Sequence, residues 1–195
     1  LTVISDEIHA DLIFNDFSHT PFASLSEEFE ENSITTISPS KTFNLASLKA
    51  SIMIVPDEKK RKRINQVAGR GINSPNVLGL EAMKAAYEKG EEWLEEQLSY
   101  LQDNLQYTEN FVRSELPSVG IFETQGTYLV WLDFNSLGLE EEKLEEFMIE
   151  EARVGLDFGS WFGPGGEGFM RLNVACPRKL LKEGLGRIKN AVNGL

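Results

Sequence analysis

Residues 38–44 read SPSKTFN, and the lysine within them, Lys41, follows directly on the β-branched run SITTIS of residues 33–38. Such a run reads as a buried strand, so Lys41 falls where the chain leaves a sheet, among the loop positions that carry functional groups. A second chemically useful residue, Asp6, ends the opening run LTVIS. If these two strands lie parallel, both groups stand at one edge of the sheet, and an amine and a carboxylate converge on one ligand. Chemistry that needs such a pair condenses the amine with an aldehyde and uses the acid to keep a heterocyclic nitrogen protonated.

The surrounding elements must supply that parallel arrangement. The segment between LTVIS and SITTIS includes the helix-compatible ASLSEEFEE at 23–31 and is long enough for a crossover, so a parallel βαβ pair is expected. The next β-like run, ASIMIV at 50–55, follows Lys41 after only eight residues. That is too short for a crossover helix, and the run should be antiparallel or bend away, giving a mixed sheet. Pro56 ends it, and Asp57 caps a helix on which Ile64 and Val67 form a weak apolar face. The basic run KKRKR at 59–63 reads as the solvated face of that helix.

Ser74 and Pro75 mark a further helix start, a cap followed by proline at the first helical position. Val77, Leu80, Met83 and Tyr87 recur at helical spacing, and Leu94, Leu98, Leu101, Leu105 and Val112 continue the series beyond Gly90, where a break is expected. Past Pro117 come the β-like runs VGIFE and TYLVWLDF, a helix with Leu144, Phe147 and Met148 inward, and the run MRLNVAC. A last helix from Pro177 turns Leu181, Leu185, Ile188 and Val192 to one side. Residues 1–99 are expected to form a sheet-bearing α/β domain with the start of the long helix, and 100–195 a small α+β domain.

Composition bounds the function. The chain has 195 residues, 41% of them apolar, enough for a substantial core. No apolar run reaches the roughly 18 residues of a membrane span, and LTVISDEIHA lacks the basic start of a signal peptide. A net charge of −12 argues against a general nucleic-acid role. A lone Cys176 makes no internal disulfide, and two histidines leave no metal cluster at ligand spacing, which fits a reducing cytoplasm. The chain opens without methionine on an apolar run, the pattern of a chain lacking an upstream part.

The amine-and-acid chemistry above is that of pyridoxal phosphate, and the sequence resembles the aspartate-aminotransferase-like (fold type I, class I/II) pyridoxal-phosphate enzymes over their carboxy-terminal half. SDEIHADL at 5–12, SPSKTFNLASLKAS at 38–51, GTYLVWLDF at 126–134 and FMRLNVACP at 169–177 carry the resemblance, in the family's order. The DEIH of residues 6–9 is similar to the cystathionine β-lyase-like C–S lyases. The resemblance implies the carboxy-terminal part of a large domain with a mixed sheet, plus a small α+β domain. It also implies that Lys41 forms the Schiff base and moves the substrate's α-proton, and that Asp6 holds the pyridinium nitrogen. His9 would stand where a tyrosine usually approaches the phenolic oxygen, Ser38 and Ser40 near the phosphate, and Arg171 at the substrate α-carboxylate. Lys49 occupies the place of a phosphate-binding arginine, and Ser47 that of a frequent glycine; a lysine neutralises phosphate only as a point charge.

Each residue has a plainer reading beside this one. Asp6 could cap a turn, Lys41 could lie idle on the surface, and His9 could be a hydrogen-bonded structural histidine. Arg171 in an apolar strand needs a partner, for which a ligand carboxylate is expected ahead of a structural one. His19 and Cys176 read as structural. FGPGGEG at 162–168 lacks a following Lys-Ser/Thr and reads as a mobile turn near the substrate. The expected activity is C–S β-lysis of a thioether amino acid to a thiol, pyruvate and ammonia; an aminotransferase shares the same motifs. In the family, further cofactor contacts precede the equivalent of residue 1 and the full-length protein is a homodimer. The isolated chain is therefore expected to be an inactive fragment, or in a reading of another class a silent, self-associating domain.

Overall fold

The structure, a computed structural model, describes residues 1–14, 17–68 and 76–195. Ser74 and Pro75, read above as a helix start, lie outside the described residues. The chain divides into two compact units, Leu1–Leu98 and Ser99–Leu195.

The first unit opens with β1 (Val3–Asp6), α1 (Glu27–Glu31) and β2 (Ser33–Ile37). β1 and β2 pair in parallel with Asp6 opposite Thr36. A single helical turn, α2 (Pro39–Thr42), leads through an irregular stretch to β3 (Ile52–Ile54), which pairs antiparallel with β2. The product is a three-stranded mixed sheet in the order β1-β2-β3, as the connection lengths require. One difference concerns residues 39–42, expected as loop, which form α2. Ser38 caps it and Pro39 fills its first position.

α3 (Glu58–Ala68) begins beside Asp57, whose carboxylate accepts the Lys60 N–H at 2.7 Å. Lys59, Lys62 and Arg63 form the solvated face. Lys60 and Arg61 do more: Lys60 Nζ donates to the Glu31 carbonyl at 2.6 Å, and the Arg61 guanidinium to those of Val55 and Pro56 at 2.6 and 2.9 Å.

α4 (Val77–Lys89) and α5 (Glu91–Glu115) are separated at Gly90. A Cβ at residue 90 would run into the Phe43 ring and the Ala86 carbonyl, so glycine here admits an aromatic side chain from the α2 region. Val77 and Leu80 of the apolar stripe remain 74% and 42% exposed, so the helical period is present without the burial it suggests. Helical spacing reports a face able to pack, and among the described residues of the first unit little covers it.

In the second unit the end of α5 is followed by β4 (Gly120–Ile121), β5 (Leu129–Asp133), α6 (Glu141–Glu146), β6 (Asp157–Phe158), β7 (Phe169–Asn173) and α7 (Arg178–Val192). The strands form an antiparallel sheet in the order β4-β5-β7-β6. Alternation sends Val130 and Leu132 of β5, with Met170 and Leu172 of β7, to the core. Val112 of α5 with Leu116 just beyond it, Leu144 of α6 with Phe147 and Met148 just beyond it, and Leu181, Leu185 and Ile188 of α7 close that core. Burying each such large side chain contributes about 1.5–3 kcal/mol.

Residues 162–168 include two turns, at 164–165 and 167–168, and are closely packed at their glycines. The Gly159 and Gly166 backbones approach so closely that a Cβ on either would strike the other's carbonyl. The Gly168 N–H donates to Glu141 Oε2 at 2.7 Å, and the Gly168 carbonyl accepts from Phe134 at 2.9 Å. Among the described residues no helix is long and apolar enough to cross a membrane.

Candidate active site

Asp6 ends β1 with its carboxylate exposed. Its Oδ1 accepts from Thr36 Oγ1 at 3.2 Å and from the Ile8 N–H at 3.4 Å. The Thr36 bond follows from the register, because the two residues lie opposite one another. Side chains alternate along an extended backbone, so the next residue, Glu7, points the other way and is buried. Its Oε1 accepts from Ser5 Oγ at 2.9 Å and the Phe22 N–H at 3.1 Å, and its Oε2 lies 3.0 Å from His19 Nε2. Burial alone would push the Glu7 carboxyl up, but the bonds from His19, Phe22 and Ser5 outweigh it and hold it below the ordinary 4.5.

Lys41 is carried by α2. Ser38 Oγ accepts the Ser40 N–H at 3.1 Å, donates to the Ala50 carbonyl at 2.7 Å, and lies 2.7 Å from Ser40 Oγ. Ser38 therefore pins the turn to the chain that enters β3. Lys41 itself is half-buried, and among the described residues nothing accepts a hydrogen bond from its ammonium. Its neighbour Thr42 is buried and donates to Asp11 Oδ2 at 2.9 Å, tying α2 to the turn that follows β1. Phe43 packs beside Tyr87 and Trp93, with ring centroids 6.1 and 5.7 Å away.

The first unit thus brings Asp6, the His9-bearing turn and the Lys41-bearing turn to one sheet edge. His9 is half-buried, and its carbonyl accepts the Leu12 N–H at 3.0 Å. Lys49 is exposed and left-handed at φ 51°, as is Asn44 at φ 54°. Non-glycine residues adopt that conformation at a cost, which surrounding structure must impose. Among the described residues no group of His, Cys, Asp and Glu could hold a metal ion.

Arg171 lies on β7 in the second unit. Its Nε and Nη2 both donate to Asp157 Oδ2, at 3.0 and 2.7 Å, and its guanidinium carbon sits 4.6 Å from the centre of the Phe162 ring. Arg171 thus has a structural carboxylate partner beside any ligand, because β6 and β7 pair Asp157 directly with it. The Nη1 side of the fork takes part in no hydrogen bond among the described residues. Trp131, opposite Arg171 on β5, stacks on Phe169 with centroids 5.9 Å apart. Burial pushes the nearby Tyr128 phenol up, against the downward pull of the Arg171 charge.

Sequence reasoning passed over Glu7, Asp11, Thr42, Phe43 and Asp157. Asp11 and Thr42 lie within the stretches that carry the resemblance and could have been paired from the expected parallel strands. Asp157 had no signal, because a two-residue strand shows no periodicity.

A model of the family described as aminotransferase class I and II matches residues 1–188. The chain belongs to this family. It is 45% identical over 194 residues to cystathionine β-lyase PatB of Bacillus subtilis (strain 168), a match covering 99% of this chain and 50% of PatB. A pyridoxal-phosphate-bound protein of Clostridium difficile 630, assigned as an aminotransferase, superposes with a TM-score of 0.97 at 43% identity, covering 99% of this chain and 50% of that one. Cystalysin of Treponema denticola, which contains pyridoxal 5'-phosphate, gives a TM-score of 0.96 at 34% identity over 100% of this chain and 50% of its own. The chain spans about half the length of these relatives. Its fold is accordingly a partial aminotransferase-like fold, with a mixed sheet in one unit and an α+β arrangement in the other.

Proposed function

We propose that this chain carries the lysine-bearing part of a pyridoxal-phosphate-dependent C–S β-lyase of the cystathionine β-lyase type, which splits a thioether amino acid into a thiol, pyruvate and ammonia. The observation that carries this reading is the edge of the first unit's sheet. There the parallel β1–β2 register and the Thr42–Asp11 bond hold an acid and an amine in neighbouring turns.

The residues fit the cofactor. Among the described residues Lys41 offers an amine that donates no hydrogen bond, and Asp6 uses one carboxylate oxygen internally while the other accepts no bond. Ser40 and Lys49 add a hydroxyl and a cation suited to a phosphate. When bound, pyridoxal phosphate supplies an aldehyde that captures amines and a ring that accepts electrons from the substrate α-carbon. The Lys41 amine takes the α-proton, a role that needs a movable but positioned base. Asp6 would hold a proton on the ring nitrogen, and His9 would be the group offered to the phenolic oxygen. Ser38 serves by shaping the turn, its own proton being donated to Ala50. Within the second unit, Asp157 orients Arg171 and leaves the Nη1 side of its fork for a substrate carboxylate.

The lyase reading is supported by the likeness to PatB. An aminotransferase is the second reading, favoured by the assignment of the Clostridium difficile protein. A homodimer belongs to the proposal, supported by the exposed Val77, Leu78 and Leu80 of α4.

In a polypeptide of the relatives' full length, treatment with pyridoxal phosphate, borohydride reduction and peptide mapping by mass is expected to place the label on Lys41 and to lose it in Lys41→Ala. Label scattered over exposed lysines, with none at residue 41, overturns the proposal. In the same polypeptide, pyruvate released from L-cystathionine without any keto acid identifies the lyase. Turnover that requires a keto acid identifies the aminotransferase.

A further inference from the structure

Glu7 is buried, and its two oxygens together meet three groups: Ser5 Oγ, the Phe22 N–H and His19 Nε2, at 2.9, 3.1 and 3.0 Å. Phe22 lies 15 positions further on, so one carboxylate closes the base of the whole loop that leaves β1. Both oxygens are engaged, and three hydrogen-bonding groups hold the side chain in this orientation. Asp6 precedes it on the opposite face of the same backbone, and the Glu7 N–H donates to the Thr36 carbonyl at 2.9 Å. The turn beyond is built on Glu7 as well, its carbonyl accepting the Ala10 N–H at 3.0 Å before His9 accepts that of Leu12 at 3.0 Å.

We propose that Glu7 is a positioning residue: by locking the start of this loop it fixes the direction of Asp6 on one face of the strand end and of the His9-bearing turn just after it. This inference rests on reading Asp6 and His9 as cofactor-facing groups. The groups that the Glu7 carboxylate meets are Ser5, Phe22 and His19, so it acts through its neighbours. The same bonds give His19 its place, since its ring is held against Glu7.

Hydrogen exchange followed by NMR tests this, because the Ala10 and Leu12 amides do not bond to the Glu7 side chain and respond only if the turn itself is released. In Glu7→Ala they are expected to exchange roughly tenfold faster or more, while the β2 amides that pair with β3 stay unchanged and report that the first unit is folded. Glu7→Gln, whose amide oxygen still accepts the Phe22 N–H, should restore part of the protection. Ala10 and Leu12 rates within about twofold of wild type in Glu7→Ala overturn the proposal.

A second readout is the pyridoxal phosphate concentration that half-labels Lys41 in the full-length polypeptide. If Glu7 acts through Asp6, Glu7→Ala loses little further labelling in an Asp6→Asn background; full additivity of the two losses refutes that route. A wild-type polypeptide of that length that never labels at Lys41 refutes the cofactor reading instead, and the exchange rates still decide what Glu7 holds.

Discussion

Asp6 and Glu7 are consecutive carboxylates with opposite environments, and their chemistry diverges for that reason alone. Glu7 has a folded pKa below its ordinary 4.5, despite burial, because of the bonds from His19, Phe22 and Ser5. A depressed folded value means that its stabilisation is present at neutral pH and is lost as pH falls through that lower value. Urea unfolding should therefore show Glu7→Gln destabilised by roughly 1–3 kcal/mol at pH 7, with the gap to wild type shrinking below pH 4.5. Thr42→Val removes the hydroxyl that reaches Asp11 and should cost about 1–2 kcal/mol, read in the same experiment, while loosening the turn that carries Lys41. At this scale, residue type and strand-end position singled out Asp6 and Lys41. The partner of Arg171 was not legible, since Asp157 becomes its neighbour only through a β6–β7 pairing that no short-range pattern announces.

Among the elements, α2 shows how a local rule can be overlooked when a stronger pattern precedes it. Ser38-Pro39 carries the same cap-and-proline signal as Ser74 and Pro75, yet Ser38 also ends a β-branched run, and the strand pattern hid the helical turn. Ser38→Ala should cost about 1–2 kcal/mol through the lost cap, and it leaves the Ala50 carbonyl without its donor. The break between α4 and α5 was legible as a glycine, but its cause was not: Phe43 is far away in sequence and meets Gly90 only after folding. Gly90→Ala should destabilise the first unit by about 1–3 kcal/mol, through a displaced Phe43 ring, and blunt Lys41 labelling; thermal unfolding and the borohydride map read the two effects. The mixed three-stranded sheet was the most legible element of all, because eight residues between Lys41 and residue 50 leave a chain no room for a parallel return.

For the molecule as a whole, apolar burial is concentrated in the second unit, where Val112, Met148, Val174 and Leu185 are all within 1% of full burial. Leu185→Ala should cost about 2–5 kcal/mol, seen as faster exchange in β5 and β7. With a net charge of −12, the chain should show no retention by duplex DNA at physiological salt despite its basic α3, which a filter-binding titration checks. The aromatic surroundings of the two candidate regions have an optical consequence. Trp93 neighbours Phe43 in the first unit, whereas Trp131, near Phe162 and Phe169, faces the Arg171 strand in the second. Indole emission from single-tryptophan variants would therefore watch the lysine turn and the arginine fork as separate colours of one molecule.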